Sequence, residues 1–581
     1  MKSENYFTDD HDLVMIFEHL IPWKDVVLSV EGAEFEDHRR FLETGKERFS
    51  MAPSNEKEAV ELYRSALDSL GEFFGYEVSP FSALFDREGL SYENGKVIFP
   101  EELVSVYEKF RNSGLMPYAI PRSSGGLGFP AVLSAFYAMI MSRGDVSFSM
   151  TVNLLNLAQI VSRFGTEEQS EKYVIPASAG DTLFAMSLTE PDYGSDLNSV
   201  RMSAVRQEDG SYILNGTKRF ISQGCGLGQY PALLLTLART EKSSSGARGL
   251  SLFLVKSTDV QIAGIEKKMG IHASPTCELV YENCRGELLG EEGFGLTRYT
   301  LGMTNFMRLG SASGGAGGGA AGYFESEKYC GERIQFGKPI GKIPAVAEML
   351  NRLKRETNAM RLLALEAAYS VDMYHHEQIR MEKKGVSDRD IRKNEKIRTW
   401  SGIASILTPI AKYYGSEQGQ ACASTAVQIH GGVGYTEDFD VSRLFRDARI
   451  NTIYEGTSQI QVRISSGAFL AGMSEEGGFR KYMNSLKKDI IYFKEMISEQ
   501  SDLMESCISA YRKITDEEKK ERRAEDLINA ASRHICSVLY ARATEKLNEK
   551  GLAEDWKNDF RNYALDSTAL MKGAEYRILR N

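Results

Sequence analysis

The chain has 581 residues, a length that predicts about three or four domains at roughly 150 residues each. With 42% hydrophobic and 26% charged residues it has the balance of a soluble globular protein with ample core. A formal net charge of −10 argues against nucleic-acid binding through a basic face, and seven widely spaced Cys without a C-x-x-C argue against a disulfide scaffold or a Cys-based zinc site.

The acidic start, Met1 to Asp10, lacks the basic and apolar regions of a signal peptide. No apolar run approaches the roughly 18 residues that cross a bilayer. The expectation is a reduced, cytoplasmic protein without an integral membrane segment. Residues 1–180 read as a helical N-terminal domain with an extension. In it, 101–110 carries apolar residues at helical spacing, 121–128 is a loop by composition, and 136–160 is apolar enough for a buried helix pair.

From 181 to 290 the pattern changes to short strands. Tyr212-Ile213-Leu214, then Asn215-Gly216, then Phe220-Ile221 has the form of a hairpin, because Asn-Gly accepts the positive φ of a tight turn. Apolar runs follow at 232–238, 250–255 and 278–281, so this part predicts a small barrel or sandwich. Cys277 and Cys284 read as core or edge residues of a strand followed by a turn.

Residues 291–470 return to helices, long ones at 343–373 and 403–429. The run Gly310-Ser311-Ala312-Ser313-Gly314-Gly315-Ala316 continues into Gly317-Gly318-Gly319-Ala320-Ala321-Gly322, which formally fits G-x-G-x-x-G but follows no hydrophobic strand. It reads as a helix kept slim for close backbone approach, with a flexible linker as the alternative. Residues 471–581 form a Lys- and Glu-rich helical extension with an apolar stripe (Met483, Leu486, Ile490, Phe493, Ile497), and 517–523 is a solvated helix or linker. Helix, strands, helix is not a βα alternation, which disfavours a Rossmann sheet. H-E-x-x-H, a P-loop and G-x-S-x-G are all absent, and His375-His376 reads as a surface pair, so no metal site is expected.

Four segments become specific when taken together and in order. They are Thr189-Glu190-Pro191-Asp192-Tyr193-Gly194-Ser195-Asp196, Asn215-Gly216-Thr217-Lys218-Arg219-Phe220-Ile221-Ser222, Arg333-Ile334-Gln335-Phe336-Gly337-Lys338-Pro339-Ile340, and Gln428-Ile429-His430-Gly431-Gly432-Val433-Gly434-Tyr435 through Ile453-Tyr454-Glu455-Gly456-Thr457-Ser458-Gln459-Ile460. Alone, the first is an ordinary turn and the third a helix end stopped by Gly and Pro. Jointly they resemble the acyl-CoA dehydrogenase family over roughly residues 60–470. Met269-Gly270-Ile271-His272-Ala273-Ser274-Pro275-Thr276-Cys277 is similar to the subgroup that contains methylmercaptopropionyl-CoA dehydrogenase.

The resemblance implies an α+β multidomain fold: a helical N-terminal domain (1–180), a central β-barrel (181–290), a C-terminal four-helix bundle (291–470) and the extra helical segment (471–581). It implies bound FAD. Met186, Leu188, Thr189, Phe220, Ile221 and Ser222 match positions lining the flavin, and Ser195 one that touches flavin and substrate. Arg333, Gln335, Phe336, Gln428 and Gly432 match positions reaching the FAD of a neighbouring subunit, while Thr457 and Gln459 match the segment beyond the base that holds the cofactor. A guanidinium suits a pyrophosphate, and glycine allows close backbone approach.

The implied reaction is α,β-dehydrogenation of an acyl-CoA thioester to the 2-enoyl-CoA, with hydride passing to flavin N5. Glu455 matches the catalytic carboxylate, and enclosure should raise its pKa toward neutrality. Its own N–H would bind the thioester oxygen, with Gly456 leaving room. Some members carry the base on an earlier helix; the matching position here is Met307, which takes no proton. Arg308 resembles an Arg that positions the base loop, and Asn305 sits where some members carry a substrate-contacting Asp. The stretch 145–150 has no Arg to pair a distal carboxylate, which disfavours a dicarboxylyl substrate, and Gly341-Lys342-Ile343 before Pro344 departs from a common Gln there. The resemblance also implies electron-transferring flavoprotein as acceptor and a homodimer or homotetramer. The alternatives are an enoyl-CoA reductase using the same residues, and a DNA-binding protective role, against which the net charge counts.

Overall fold

The computed structural model describes residues 4–240 and 246–580; Met1, Lys2 and Ser3 of the acidic start lie outside it. The chain divides into two compact units. The first holds Val30–Ser134 and Gly144–Met307 with the chain start, and the second holds Phe7–Ser29, Ala135–Arg143 and Arg308–Asn581. Among the described residues no helix is long and apolar enough to cross a membrane.

In the first unit, helices Glu56–Phe73, Glu101–Asn112 and Val146–Asn153 bring together Phe73, Phe74, Phe110 and Phe148, whose rings meet edge-on or tilted. The expected helix pair over 136–160 is instead three helical pieces, Ala131–Gly144, Val146–Asn153 and Ala158–Phe164, because Asp145 caps a new helix through Phe148 N–H. A short hairpin, β1 (Ser91–Glu93) with β2 (Lys96–Ile98), also interrupts the helical region.

The remaining strands of this unit are β3 (Leu183–Ser187), β4 (Ser203–Arg206), β5 (Tyr212–Ser222), β6 (Ala232–Arg239), β7 (Leu250–Lys256), β8 (Gln261–Ile265) and β9 (Thr276–Leu289). They pair in the order β3-β6-β4-β5-β9-β7, and β6 pairs again with β7, closing the sheet into a barrel with β3 and β8 attached. β6 and β7 are buried along almost their whole length, which explains their continuous apolar runs.

The hairpin expected at Asn215-Gly216 does not form. β5 runs straight through these residues, and the reversal lies earlier, at 207–211, where Gln207 N–H donates to Ser211 O at 2.8 Å. Asn215 instead faces a bulge on β9, donating to and accepting from Asn283, which takes the extra residue at φ 54°. Gly216 is needed for packing, since a Cβ there would meet Met202 Cγ at 2.9 Å. Cys277 and Cys284 both lie within β9, with no turn between them.

In the second unit the glycine-rich run lies inside one long helix, Leu301–Glu332. The reason is contact: a Cβ on Gly315 would strike Gly415 O at 2.1 Å and one on Gly317 would strike Met139 O at 2.4 Å. Backbone approach thus overrides the roughly 1 kcal/mol that each Gly costs a helix. Pro344–Lys383 and Glu395–His430 extend the two long helices beyond their expected ends, and Ser458–Gly472 packs beside the latter. The segment 333–340 is not a stopped helix end but a hairpin, β10 (Ile334–Gln335) with β11 (Lys338–Pro339), whose turn residues Phe336 and Gly337 have φ 51° and 75°. His375 is buried, correcting the surface-pair reading; only its neighbour His376 is half-exposed, 3.6 Å from Asp372. Among the described residues no cluster of three His, Cys, Asp or Glu could hold a metal.

The C-terminal helices are Gly478–Lys487, Lys494–Arg512, Glu517–Glu549 and Glu554–Leu579. The stripe Met483, Leu486, Ile490, Phe493 and Ile497 is buried throughout but crosses a break between the first two helices. A buried polar network docks the extension on the bundle. Arg533 donates to Glu356 at 2.7 Å, Tyr414 OH donates to the same carboxylate at 2.8 Å, and Tyr563 meets Tyr414 at 2.7 Å. The charged run 517–523 is the largely exposed first turns of the third helix.

Candidate active site

The expected site residues fall in both units. In the second, a tight turn after residues 449–452 leads to Glu455 at φ 55° and Gly456 at φ 87°. Two successive left-handed residues reverse the chain, and the non-glycine one stores of order 1 kcal/mol of strain that its surroundings must hold. They do so through the freed carbonyls. Gln461 Nε2 donates to Glu455 O at 3.0 Å and Gly456 O at 3.1 Å, and Lys412 Nζ donates to Gly456 O at 2.8 Å. Both donors are fully buried. Ser458 additionally bonds Glu417, so the long helix carrying Lys412 fixes the turn twice.

The carboxyl of Glu455 is half-buried and its backbone, not its side chain, takes these donors. Burial raises its pKa to about 7, against the pull of the Lys412 and Arg308 charges. Burial also lowers Lys412 to about 8 and lowers Arg308, with Glu455 opposing both shifts. A carboxyl that titrates near neutrality beside two cations can accept a proton and tolerate negative charge developing next to it. Gly456 is close-packed, since a Cβ would meet Gln461 Nε2 at 2.8 Å.

The neighbouring expectations divide. Thr457 caps Ser458–Gly472, its side chain accepting from Ile460 N–H, while Gln459 is exposed. Arg333, Gln335 and Phe336 stand exposed on the β10–β11 hairpin, Phe336 at 91%. Gln428 and Gly432 are exposed at the end of Glu395–His430 and in the turn after it. The stacking of Tyr329 on His430, ring centroids 4.3 Å apart, brings the root of the hairpin to that same helix end.

In the first unit, Met186 lies in β3, Leu188 and Thr189 just after it, and Phe220, Ile221 and Ser222 at the end of β5. Arg219 N–H donates to Thr189 O at 2.9 Å, joining the two segments. A bulge in β5 between Lys218 and Ile221 puts Phe220 at φ 62° and turns its ring outward, 54% exposed. Met186, Thr189 and Ser222 are half-buried, whereas Ile221 is buried and paired with Cys277 of β9. Ser195 is exposed in the turn, and Asn305 is half-buried. A thioether, an outward aromatic ring and two hydroxyls make a lining suited to a planar heteroaromatic ring, and the exposed Arg333 suits a pyrophosphate.

Lys412, Gln461 and Glu417 lie outside the four motif segments, whereas Lys218 and Glu190, in the first unit, lie inside two of them without a role read from them. Lys218 is fully buried, donating to Leu188 O at 2.9 Å and Glu190 Oε1 at 3.1 Å, and Glu190 also accepts from Arg201 and Met202 N–H. One signal was present for Lys412: it is the only charged residue between Arg398 and Glu417.

The N-terminal, middle and C-terminal domain models of acyl-CoA dehydrogenase match residues 63–181, 185–284 and 291–469. The 3-methylmercaptopropionyl-CoA dehydrogenase of Ruegeria pomeroyi is 34% identical over 422 residues, covering 68% of this chain and 69% of that protein. The acryloyl-CoA reductase (NADH) of Anaerotignum propionicum is 32% identical, covering 67% and 89%. The acyl-CoA dehydrogenase of Bacillus anthracis, solved with FAD, shares the fold at a TM-score of 0.74 and 22% identity, covering 89% of this chain and 88% of its own. With matches to all three parts in order, around a near-neutral carboxylate in the matched C-terminal part, this chain belongs to the acyl-CoA dehydrogenase family of FAD-dependent enzymes.

Proposed function

We propose that this enzyme removes the α-proton and β-hydrogen of an acyl-CoA thioester, giving the 2-enoyl-CoA, with Glu455 as the base. The observation that carries the reading is Glu455 itself: strained backbone held by two buried donors, and a carboxyl brought to about 7 between Arg308 and Lys412. Such a group is ionised in a useful fraction at neutral pH and still basic enough to take a weakly acidic C–H proton. FAD supplies the hydride acceptor. Met186, Leu188, Thr189, Phe220, Ile221 and Ser222 would hold its ring, Ser195 would border ring and substrate, and Thr457 and Gln459 would border its site beyond the base. Arg333, Gln335, Phe336, Gln428 and Gly432 would hold the FAD of a neighbouring copy, which makes the working form a homodimer or homotetramer. Asn305 and Arg308 would border the acyl group, and the Glu455 N–H would bind the thioester oxygen as it gains charge. Electron-transferring flavoprotein is the proposed acceptor, and a reducing cytoplasm is in keeping with the free thiols.

A panel of CoA esters titrated anaerobically into the holoenzyme tests this by loss of flavin absorbance. Glu455→Gln is expected to stay yellow and bind ligand while reduction slows by about 10²- to 10⁴-fold. Unchanged reduction in that variant would remove Glu455 from the role. Because one relative is an acryloyl-CoA reductase, the same titration run with enoyl-CoA and reduced enzyme reads the reverse direction.

A further inference from the structure

The loop between β8 and β9, Glu266 to Pro275, gives no residue to the proposed catalytic or flavin set, yet it is fastened at several points. Glu266 N–H donates to Thr276 O at 2.8 Å across its neck, and Lys268 Nζ donates to Ser274 O at 2.8 Å inside it. Within the loop Ile271 takes φ 48°, a left-handed conformation that a β-branched residue keeps only where its surroundings hold it. The next residue, His272, supplies a hold. Its Nδ1 lies 2.8 Å from Asp86 O and 2.9 Å from Asp86 Oδ1 on helix Ser82–Glu88, and its Nε2 lies 2.9 Å from Lys268 O.

Both ring nitrogens therefore face oxygens. A main-chain carbonyl can only accept, so each nitrogen has to donate, and a neutral imidazole has one N–H for the two places. The imidazolium satisfies both, and its charge then faces the Asp86 carboxylate. The charged groups around the ring are that carboxylate, on the helix, and the Lys268 ammonium within the loop, which is bonded to Ser274 O. Gly89, just past the helix end, meets His272 through its backbone, since a Cβ there would lie 3.4 Å from His272 Cβ. The His272 side chain is 31% exposed, so the ring can exchange its proton with water. A neutral histidine in a packing role pairs one donor with one acceptor, whereas Asp86 O and Lys268 O carry no proton to give.

We propose that His272 is a proton-dependent clamp on this loop and, through it, a positioning residue for the flavin-lining end of β5. The link is direct. Thr276 and Cys277, just past the loop, pair with Ser222 and Ile221, and Gln223 N–H donates to Pro275 O at 3.0 Å. When the ring loses its proton, one nitrogen turns a lone pair on a carbonyl oxygen, that contact opens, and Ile271 is free to relax. The clamp is closed at low pH and loosens as pH rises through the range in which histidine titrates. Its effect on the flavin rests on the lining proposed above for Ser222 and Ile221; the clamp itself does not.

Hydrogen–deuterium exchange of the full-length holoenzyme, read by mass on peptides spanning 266–276 and corrected for the intrinsic rate at each pH, tests the clamp between about pH 6 and about pH 9. Expected in the parent is protection that falls about tenfold across the series. In His272→Arg it should stay constant, because the guanidinium keeps its donors at every pH. Asp86→Asn keeps the main-chain acceptors and removes the counter-charge, so the fall should move to lower pH; this variant carries the test if the arginine does not fit. The rate of FAD release on dilution reads the positioning. It should rise with pH in step with loop exchange in the parent and stay level in His272→Arg. Protection that is flat with pH in the parent, or that falls equally in His272→Arg, would overturn the clamp. Loop exchange that follows pH while FAD release does not would leave the clamp standing and overturn its positioning of the flavin.

Discussion

Each unit sets a glutamate beside a buried lysine, and the two pairs do opposite things. In the first unit Lys218 points its ammonium at Glu190, and two main-chain N–H groups complete that carboxylate's shell. In the second, Lys412 gives its hydrogen bond to the carbonyl of Gly456 and acts on the Glu455 carboxylate only through its field. Both lysines are brought to about 8 by burial, so the cations are alike. What differs is where the donors are spent. A carboxylate with a full shell holds a turn together; one whose backbone is held and whose oxygens are left to a half-buried space can exchange protons.

The sharpest way to break this contrast is to neutralise each carboxylate in turn. Glu455→Gln should slow substrate-driven flavin reduction by about 10²- to 10⁴-fold without lowering its melting temperature. Glu190→Gln should do the reverse. It strips the Lys218 ammonium of its counter-charge in a fully buried site, at a cost of about 3 kcal/mol, read as a lower denaturant midpoint. If Glu190→Gln proves as stable as the parent, the first pair is not the structural tie assigned to it.

A pH series sharpens the same point. Glu455 has a folded pKa near 7 against 4.5 as its ordinary value, so the native state keeps a proton that the unfolded chain loses between those values. Native stability from this group is complete below pH 4.5 and falls as pH rises to about 7. Glu455→Gln removes that dependence. It should match the parent in stability at pH 4.5 and exceed it by about 1–2 kcal/mol at pH 8, discounted for the side chain's partial exposure. Equal stability of the two proteins at pH 8 would show that the carboxyl is not held above its ordinary range.

How much of this was readable beforehand follows from the range of the interactions. β6 and β7 announced themselves because strands buried on both faces must be apolar throughout. The long helix through Gly310–Gly322 was legible as a slim element because charged and aromatic helix formers resume at Tyr323. Asn215-Gly216 misled because the pair that suits a tight turn also suits a strand facing a bulge, and only Met202 and Asn283, distant in sequence, decide between them. The carboxylate at Glu455 was visible through its motif, but its supports were not. Lys412 reaches Gly456 across 44 residues and Lys218 reaches Glu190 across 28, separations over which a lysine does not declare its partner.

The smallest expected effect separates the two jobs of Lys412. Its field lowers the Glu455 pKa, and its hydrogen bond holds the Gly456 carbonyl. Lys412→Met removes both, so the carboxyl should titrate higher and less of it be ionised at pH 7. Loss of a charge-assisted bond of about 1.5 kcal/mol predicts a reduction rate about tenfold lower at neutral pH. The electrostatic part is recovered by raising pH, whereas a displaced turn is not. A kcat profile shifted to higher pH with its plateau intact assigns Lys412 to tuning the base; a lowered plateau with the midpoint unmoved assigns it to holding the turn. Lys412→Arg keeps the charge on a longer, forked head, so it should restore the midpoint without restoring the plateau if both jobs are real.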